Sequence, residues 1–442
     1  MAEVPADAMQ ASGLIAARPA LIRALNEQLL LDHIRSSGPY SRADLARVSG
    51  LSKPTVSLAL ANLERAGLVR LAGQRTGVPG RTALLYEVRP EAGFVLGLDI
   101  GLRYLRGAIA DLAGEVRARL SVPVRAVKLG DRVAELVELA DELCARAGVT
   151  RAEAIQAVVG CPGVYDPRRD LMALTGGLPG WNQPEALAGL RAAFGPGLAI
   201  ENDVDAAALA ERALGHGREV ENFAFVHVCT GIGMGLVLGG RLHRGVHGVA
   251  GEICFMPLGG DPPAWAGPIS SDRGANAGGS GALDGRVTAG PEGVIIDPAE
   301  VRRRGTLETA AGADGIVRAA RRAGLTGLAT ARSVFEAAAA GDPRAAAVVA
   351  GEARLIAAAI SCVITVVDPS LIVLGGGIGQ APGFAEAVTA ALAEVAPVLP
   401  EVKVSALGTD VVVDGCLAEA AAMAWTRLAA ALPLSGLPLF RC

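Results

Sequence analysis

The chain has 442 residues, 51% of them hydrophobic and 3% aromatic, with 57 Gly and a formal net charge of −4. That length leaves room for two or three domains, and many small residues with few aromatics suit an α/β protein with close helix–sheet packing. The seven cysteines are scattered with no C-x-x-C pair, which argues against a disulfide framework and a thiolate zinc site.

The opening MAEVPADAMQ lacks the basic start and apolar run of a signal peptide. The apolar stretch 355–367 is too short to span a bilayer. The sequence therefore reads as cytoplasmic, with no membrane partner. Charge is uneven: residues 1–90 hold 11 Arg/Lys against 7 Asp/Glu, and the remainder 30 against 38. A basic head on an acidic body points to a polyanion partner for the head alone.

Residues 1–13 read as a flexible tail, and 14–90 as a helical module ending in a Gly-rich hairpin. Within YSRADLARVSGLSKPTVSLALANLERAG (40–67), Ser41 is placed to cap a helix whose Leu45, Ala46 and Val48 face inward. Gly50 supplies a left-handed residue at the turn. Ser52 caps a second helix with Pro54 in its first turn, where a missing N–H costs little. Val56, Leu60 and Leu63 form its buried stripe. Ser52, Lys53, Thr55 and Ser57 are then offered where a recognition helix meets the bases and phosphates of double-stranded DNA. The following GLVRLAGQRTGVPGRTALLYEV reads as two strands around a wing tip, with Arg70, Arg75 and Arg81 able to reach phosphate or the minor groove. Helix pair, turn, register and wing together point to a winged helix-turn-helix; the helix pair alone would also suit a plain packing module.

From residue 94 apolar strands alternate with amphipathic helices, the pattern of sheets with helical layers. Over 132–148 the helix period places Val133, Leu136, Val137, Leu143 and Cys144 on one face. Residues 260–304, rich in Gly, Pro and Ser, have no sustained period and are expected to form a long flexible insertion. Four motifs lie in order: GLDIGLRYLRGAIADLAG, AIENDVDAAALAE, VCTGIGMGLVLGGRLHRGVHGVAGE and DPSLIVLGGGIG. Gly turns after strands let backbone amides approach phosphate. One such turn is equally a tight hairpin, whereas four in this order are specific.

These motifs resemble those of the ROK family (repressors, open reading frames and sugar kinases), and the helical head makes the chain similar to its regulator branch. The resemblance covers 14–442 apart from 260–304. It implies a winged helix-turn-helix followed by a two-lobed actin-like ATPase/sugar-kinase fold, with lobe 1 over 91–205, lobe 2 over 206–442, and a C-terminal helix returning to lobe 1. It assigns Asn202, Asp203, Glu252 and Glu308 to sugar hydroxyls. Asp99, Gly101, Thr230, Gly231, Gly233, Gly375, Gly376 and Gly377 fall at nucleotide positions. In the family's kinases the residue matching Asp203 is the catalytic base; as a position after a strand it is also a natural helix N-cap.

The chain departs from that pattern at several points. Leu102 and Arg103 replace the small Gly and Thr of the first phosphate turn. Phe255 stands where a zinc-binding His is expected, and no Cys precedes Leu307–Glu308–Thr309. Cys254 and His247 lie nearby but read as a buried Cys and a loop His. Gly177 replaces an Asn, while Trp181 is retained. No metal is therefore expected, and ATP/Mg binding is disfavoured. The sequence reads as a sugar-responsive repressor, a homodimer or homotetramer on a DNA operator. The alternatives are an active sugar kinase with an appended DNA-binding domain, or a protein-docking body without a small ligand.

Overall fold

The computed structural model describes residues 7–75, 83–126, 128–175, 178, 180–258 and 304–431. The first helix, α1 (Asp7–Ser37), begins inside the stretch expected to be a tail. β1 (Tyr40–Ser41) leads into α2 (Arg42–Ser49) and α3 (Lys53–Arg65). Ser41 caps α2 in a capping box with Asp44, Gly50 takes the left-handed conformation at φ 70°, and Ser52 caps α3. β2 (Val69–Arg75) and β3 (Ala83–Val88) pair antiparallel as the base of the wing. Leu30, Leu31 and Ile34 of α1 close the core over Leu45, Val56, Leu60 and Leu63. Val48, expected to face inward, is 41% exposed.

Next come β4 (Phe94–Ile100), β5 (Tyr104–Asp111), β6 (Val116–Pro123), α4 (Leu129–Ala147), β7 (Ala154–Cys161), β8 (Val164–Asp166), β9 (Leu171–Ala173), α5 (Pro184–Phe194) and β10 (Leu198–Asn202). α6 (Asp203–Leu214) follows, then β11 (Phe223–Val228), β12 (Ile232–Leu238) and β13 (Arg241–Leu242). After the undescribed 259–303 come α7 (Thr306–Ala311), α8 (Ala313–Arg322), α9 (Ala331–Ala339), α10 (Pro343–Val367), β14 (Leu371–Gly375), α11 (Gly376–Gly379), α12 (Phe384–Val395), β15 (Glu401–Val404) and α13 (Val411–Ala431).

The two five-stranded sheets share one topology. Their orders are β10-β7-β4-β5-β6 and β13-β12-β11-β14-β15. In each, the first strand forms an antiparallel hairpin with the second and pairs in parallel with the fourth. β4 is buried at every residue because α4 covers one face and α13 the other, so apart from Asp99 it reads as an apolar run rather than an alternation. α13 also packs along α6 and touches α1, so it lies between the head and both lobes.

Two sequence expectations shift here. α4 buries Leu139 and Ala140 with Leu136, Leu143 and Cys144, while Val133 and Val137 are half-buried. α10 is 25 residues long, and thus long and apolar enough to cross a membrane. It serves as a core helix, with Ile356, Ile360 and Ile364 buried in the second lobe.

Candidate functional site

In the head, Ser52 and Lys53 are exposed at the start of α3 and Thr55 and Ser57 half-buried. The Ser52 Oγ accepts from the Thr55 N–H at 3.3 Å and lies 2.8 Å from the Thr55 hydroxyl, so part of this polar edge is committed to the cap. Leu58 is 53% exposed on the same helix, an apolar group that sequence reasoning passed over. The wing arginines are less free than expected. Arg70 is paired with Glu87 and Glu91, and Arg75 with Asp44 at 3.0 Å. Arg81 lies outside the described residues. Arg47 at the end of α2 is 77% exposed and pairs with the same Asp44 at 2.9 Å.

In the body, β10 delivers Asn202 and Asp203 to the start of α6. Asn202, not Asp203, is the N-cap: its Oδ1 accepts from the N–H groups of Val204 and Asp205, and its Nδ2 donates to the Gly163 carbonyl. The amide assigned to sugar hydroxyls is thus spent on the helix start and on the 162–163 turn. Asp203 is the first helical residue. Burial raises its carboxyl above the ordinary range, with His227 of β11 acting in the opposite sense and Glu308 nearby adding to the rise. Glu252 is half-buried, is raised chiefly by burial, senses both Asp203 and Glu308, and accepts from the Cys254 thiol at 3.4 Å. The fold therefore gathers Asp203, Glu252, Glu308 and His227 at one cleft; His227 was not singled out from the sequence.

The two hairpin turns at this cleft are each held by an arginine. In the β4–β5 turn, Gly101 donates to the Tyr104 carbonyl at 3.0 Å, and its own carbonyl accepts from Arg132 of α4. Leu102 and Arg103 are exposed at its tip. Asp99, beneath it, is pushed up to about 7 by burial, with the Asp203 charge adding and the Arg106 partner at 3.0 Å opposing.

In the β11–β12 turn, Arg304 donates to the Thr230 carbonyl and to Glu308, and Glu308 accepts from the Ile232 N–H at 3.0 Å. A Cβ on Gly231 would stand 2.9 Å from the Glu308 carboxylate, and one on Gly233 would stand 3.0 Å from Val204. Glu308 thus locks the turn instead of standing free toward a sugar. Arg304, expected in the flexible insertion, is a fixed part of this lock; the remainder of 260–304 lies outside the described residues. Gly375 and Gly376 sit where a Cβ would collide with Phe225 and with the Val228 carbonyl, and Gly377 flanks Cys229. Close packing alone requires the first two. His227 and the Gly377 and Thr230 amides draw Cys229 down to about 6.

Zinc does not fit these residues: Phe255 is 38% exposed, Cys254 is buried, His247 is exposed, and no cluster of three or more His, Cys, Asp or Glu among the described residues could hold a metal. A nucleotide fits poorly for a different reason, since the Ile232 N–H in the second turn already serves Glu308. Gly177 lies outside the described residues, while Trp181 is buried in a core cluster with Met172, Leu178 and Leu187.

Residues 95–425 match the ROK family and residues 25–70 the winged helix-turn-helix DNA-binding family. The chain belongs to the ROK family, with a winged helix-turn-helix in front. It is 26% identical to the xylose repressor of Bacillus spizizenii over 54% of this chain and 61% of the repressor. It spans 58–61% of the length of the curated xylose repressors it matches. Its fold is shared with a ROK transcriptional regulator homologous to the E. coli MLC protein, at a TM-score of 0.70 and 23% identity, over 93% of this chain and 98% of that one. The ROK hexokinase of Thermus thermophilus aligns at a TM-score of 0.57 and 28% identity, over 74% of this chain and 97% of the hexokinase.

Proposed function

We propose that this protein is a cytoplasmic, DNA-binding repressor of carbohydrate-metabolism genes whose cleft takes a sugar or sugar derivative. One observation carries the reading: a winged helix is joined to a ROK body whose two phosphate turns are held by the protein's own Arg132, Arg304 and Glu308. Asp203 and Glu252 remain to meet sugar hydroxyls, which suit carboxylates as paired donors. A homodimer or homotetramer would place two α3 helices on a palindrome. Leu21, Ile22 and Leu25 of α1, each more than half exposed, supply an apolar stripe for such pairing. The sugar acts as a switch only by binding the DNA-competent and DNA-incompetent states unequally.

The kinase alternative keeps Asp203, whose burial favours the protonated carboxyl, but phosphoryl transfer also needs open phosphate-binding amides and a metal. A gel shift with the DNA upstream of the protein's own gene, at fixed salt and with xylose among a sugar panel, tests the reading. Specific binding that one sugar changes is the expected result. Failure to bind any such DNA specifically would remove it, as would robust sugar-dependent ADP release that Asp203→Ala abolishes.

A further inference from the structure

Behind β10, on the side facing α13, lies a chamber of about 360 Å³, at the small end of the range for small-molecule sites (~300–1,000 Å³). It shares Asn202 with the cleft, but Asp203, Glu252 and Glu308 do not line it. Val158, Val164, Tyr165 and Met423 supply apolar wall. Its polar side is acidic: Glu201 from β10, Asp205 from α6 and Glu419 from α13 stand against one cation, Arg244, from the loop after β13. Arg244 is already taken. It donates to Glu201 through Nε at 3.0 Å and to Glu419 through Nη2 at 3.2 Å.

That leaves Asp205 without a partner for its side chain. The residue is 4% exposed, and its Oδ1 is buried with no hydrogen-bond partner. The Asp205 N–H is occupied by the Asn202 cap, so the helix start does not consume the carboxylate. Buried polar groups are normally satisfied, and a buried acid that lines a chamber with one carboxylate oxygen unpaired calls for an account.

We infer that this chamber is a second ligand site, which takes a small organic ammonium compound whose nitrogen donates to Asp205. The ammonium supplies the missing donor and balances a chamber with three carboxylates and one guanidinium, while its carbon body fills the apolar wall. Binding is coupled to a proton. Burial pushes the Asp205 carboxyl up to about 8, with Glu201, Glu252 and Asp203 adding and Arg244 opposing; Glu419 faces the same chamber. Asp205 therefore holds a proton at neutral pH, and the ammonium nitrogen displaces it. Affinity should rise by up to about tenfold per pH unit below 8 and level off above it.

Titration calorimetry and thermal shift on the full chain would use n-butylamine, 1,4-diaminobutane and glucosamine, with n-butanol, 1,4-butanediol and glucose as neutral counterparts at matched ionic strength. Binding of at least one amine by about 10 mM is expected, tighter than its neutral counterpart, with close to one proton released per ligand at pH 7. Asp205→Asn should weaken it tenfold or more and abolish the proton release. Glu419→Gln, at the half-buried rim, gives a second readout with a smaller loss if Asp205→Asn fails to fold. No stabilisation by any amine, equal binding of the neutral compounds, or undiminished amine binding in folded Asp205→Asn would each overturn the proposal. DNA binding and its sugar response are read separately in the gel shift, so either reading can fail alone.

Discussion

The two lobes repeat one sheet topology, so their first hairpins can be compared position by position. Asp99 pairs with Arg106 across the β4–β5 hairpin as His227 pairs with Gly233 across β11–β12, each one residue before the end of its strand. An acid thus occupies in the first lobe the place a histidine occupies in the second; the Asp203 charge raises Asp99, while His227 lowers Asp203. Each turn that follows is pinned at a backbone carbonyl by one arginine, Arg132 in the first and Arg304 in the second. The locks differ in kind. Arg132 meets only carbonyls, whereas Arg304 brings a carboxylate that also takes up a turn amide. The first turn is therefore obstructed at its exposed tip, and the second is closed from within.

The largest expected effect breaks the comparison at Asp99. Its carboxyl is raised to about 7 in the fold from an ordinary 3.8. Below 3.8 it is protonated both folded and unfolded and costs nothing. Between 3.8 and 7 only the folded chain holds the proton, so rising pH destabilises; above 7 the cost is complete. Asp99→Asn removes this slope. Urea midpoints at pH 5 and pH 8 should show the variant gaining, relative to the parent, on the order of 2–3 kcal/mol at the higher pH. A pH-independent difference would show that burial does not hold the proton on Asp99.

Next comes the second lock. Glu308→Ala strips Arg304 of one carboxylate and leaves the Ile232 N–H without its acceptor. The expected loss is about 1.5–2 kcal/mol in chemical denaturation, with Arg304 keeping its partner Asp314. A loss indistinguishable from that of an exposed control substitution would mean that the turn needs no lock. The smallest effect belongs to the first turn. Leu102→Gly combined with Arg103→Thr restores small residues at an exposed tip, so stability should stay within about 0.5 kcal/mol. Fluorescent-ATP titration should still show no binding, because the second turn remains closed. Nucleotide binding by this variant would make Leu102 and Arg103 the sole obstruction.

Local pattern made much of the molecule legible. Ser41, Gly50 and Ser52 mark helix ends through short-range capping and left-handed geometry, and all three act as expected. Val56, Leu60 and Leu63 follow the helical period and are fully buried. The strand–turn motifs marked strands of both sheets, and the family resemblance they carry pointed to Asp203 and Glu252. Less legible was which member of a pair does what. Asn202 and Asp203 are both good caps by type, and only the direction of β10 into α6 gives the cap to Asn202. Val48 obeys the helical period, but no neighbouring element covers it.

The sequence by itself determined the order of modules and the ends of α2 and α3, because each depends on residue type at short spacing. The tertiary structure alone decided the rest. Arg132 lies 31 residues from the turn it holds and Arg304 lies 74 from its own, separations at which no periodicity operates. Whether a guanidinium meets phosphate, carbonyl or carboxylate depends on which groups the folded chain carries to within about 3 Å of it, and that is set by the packing within each lobe.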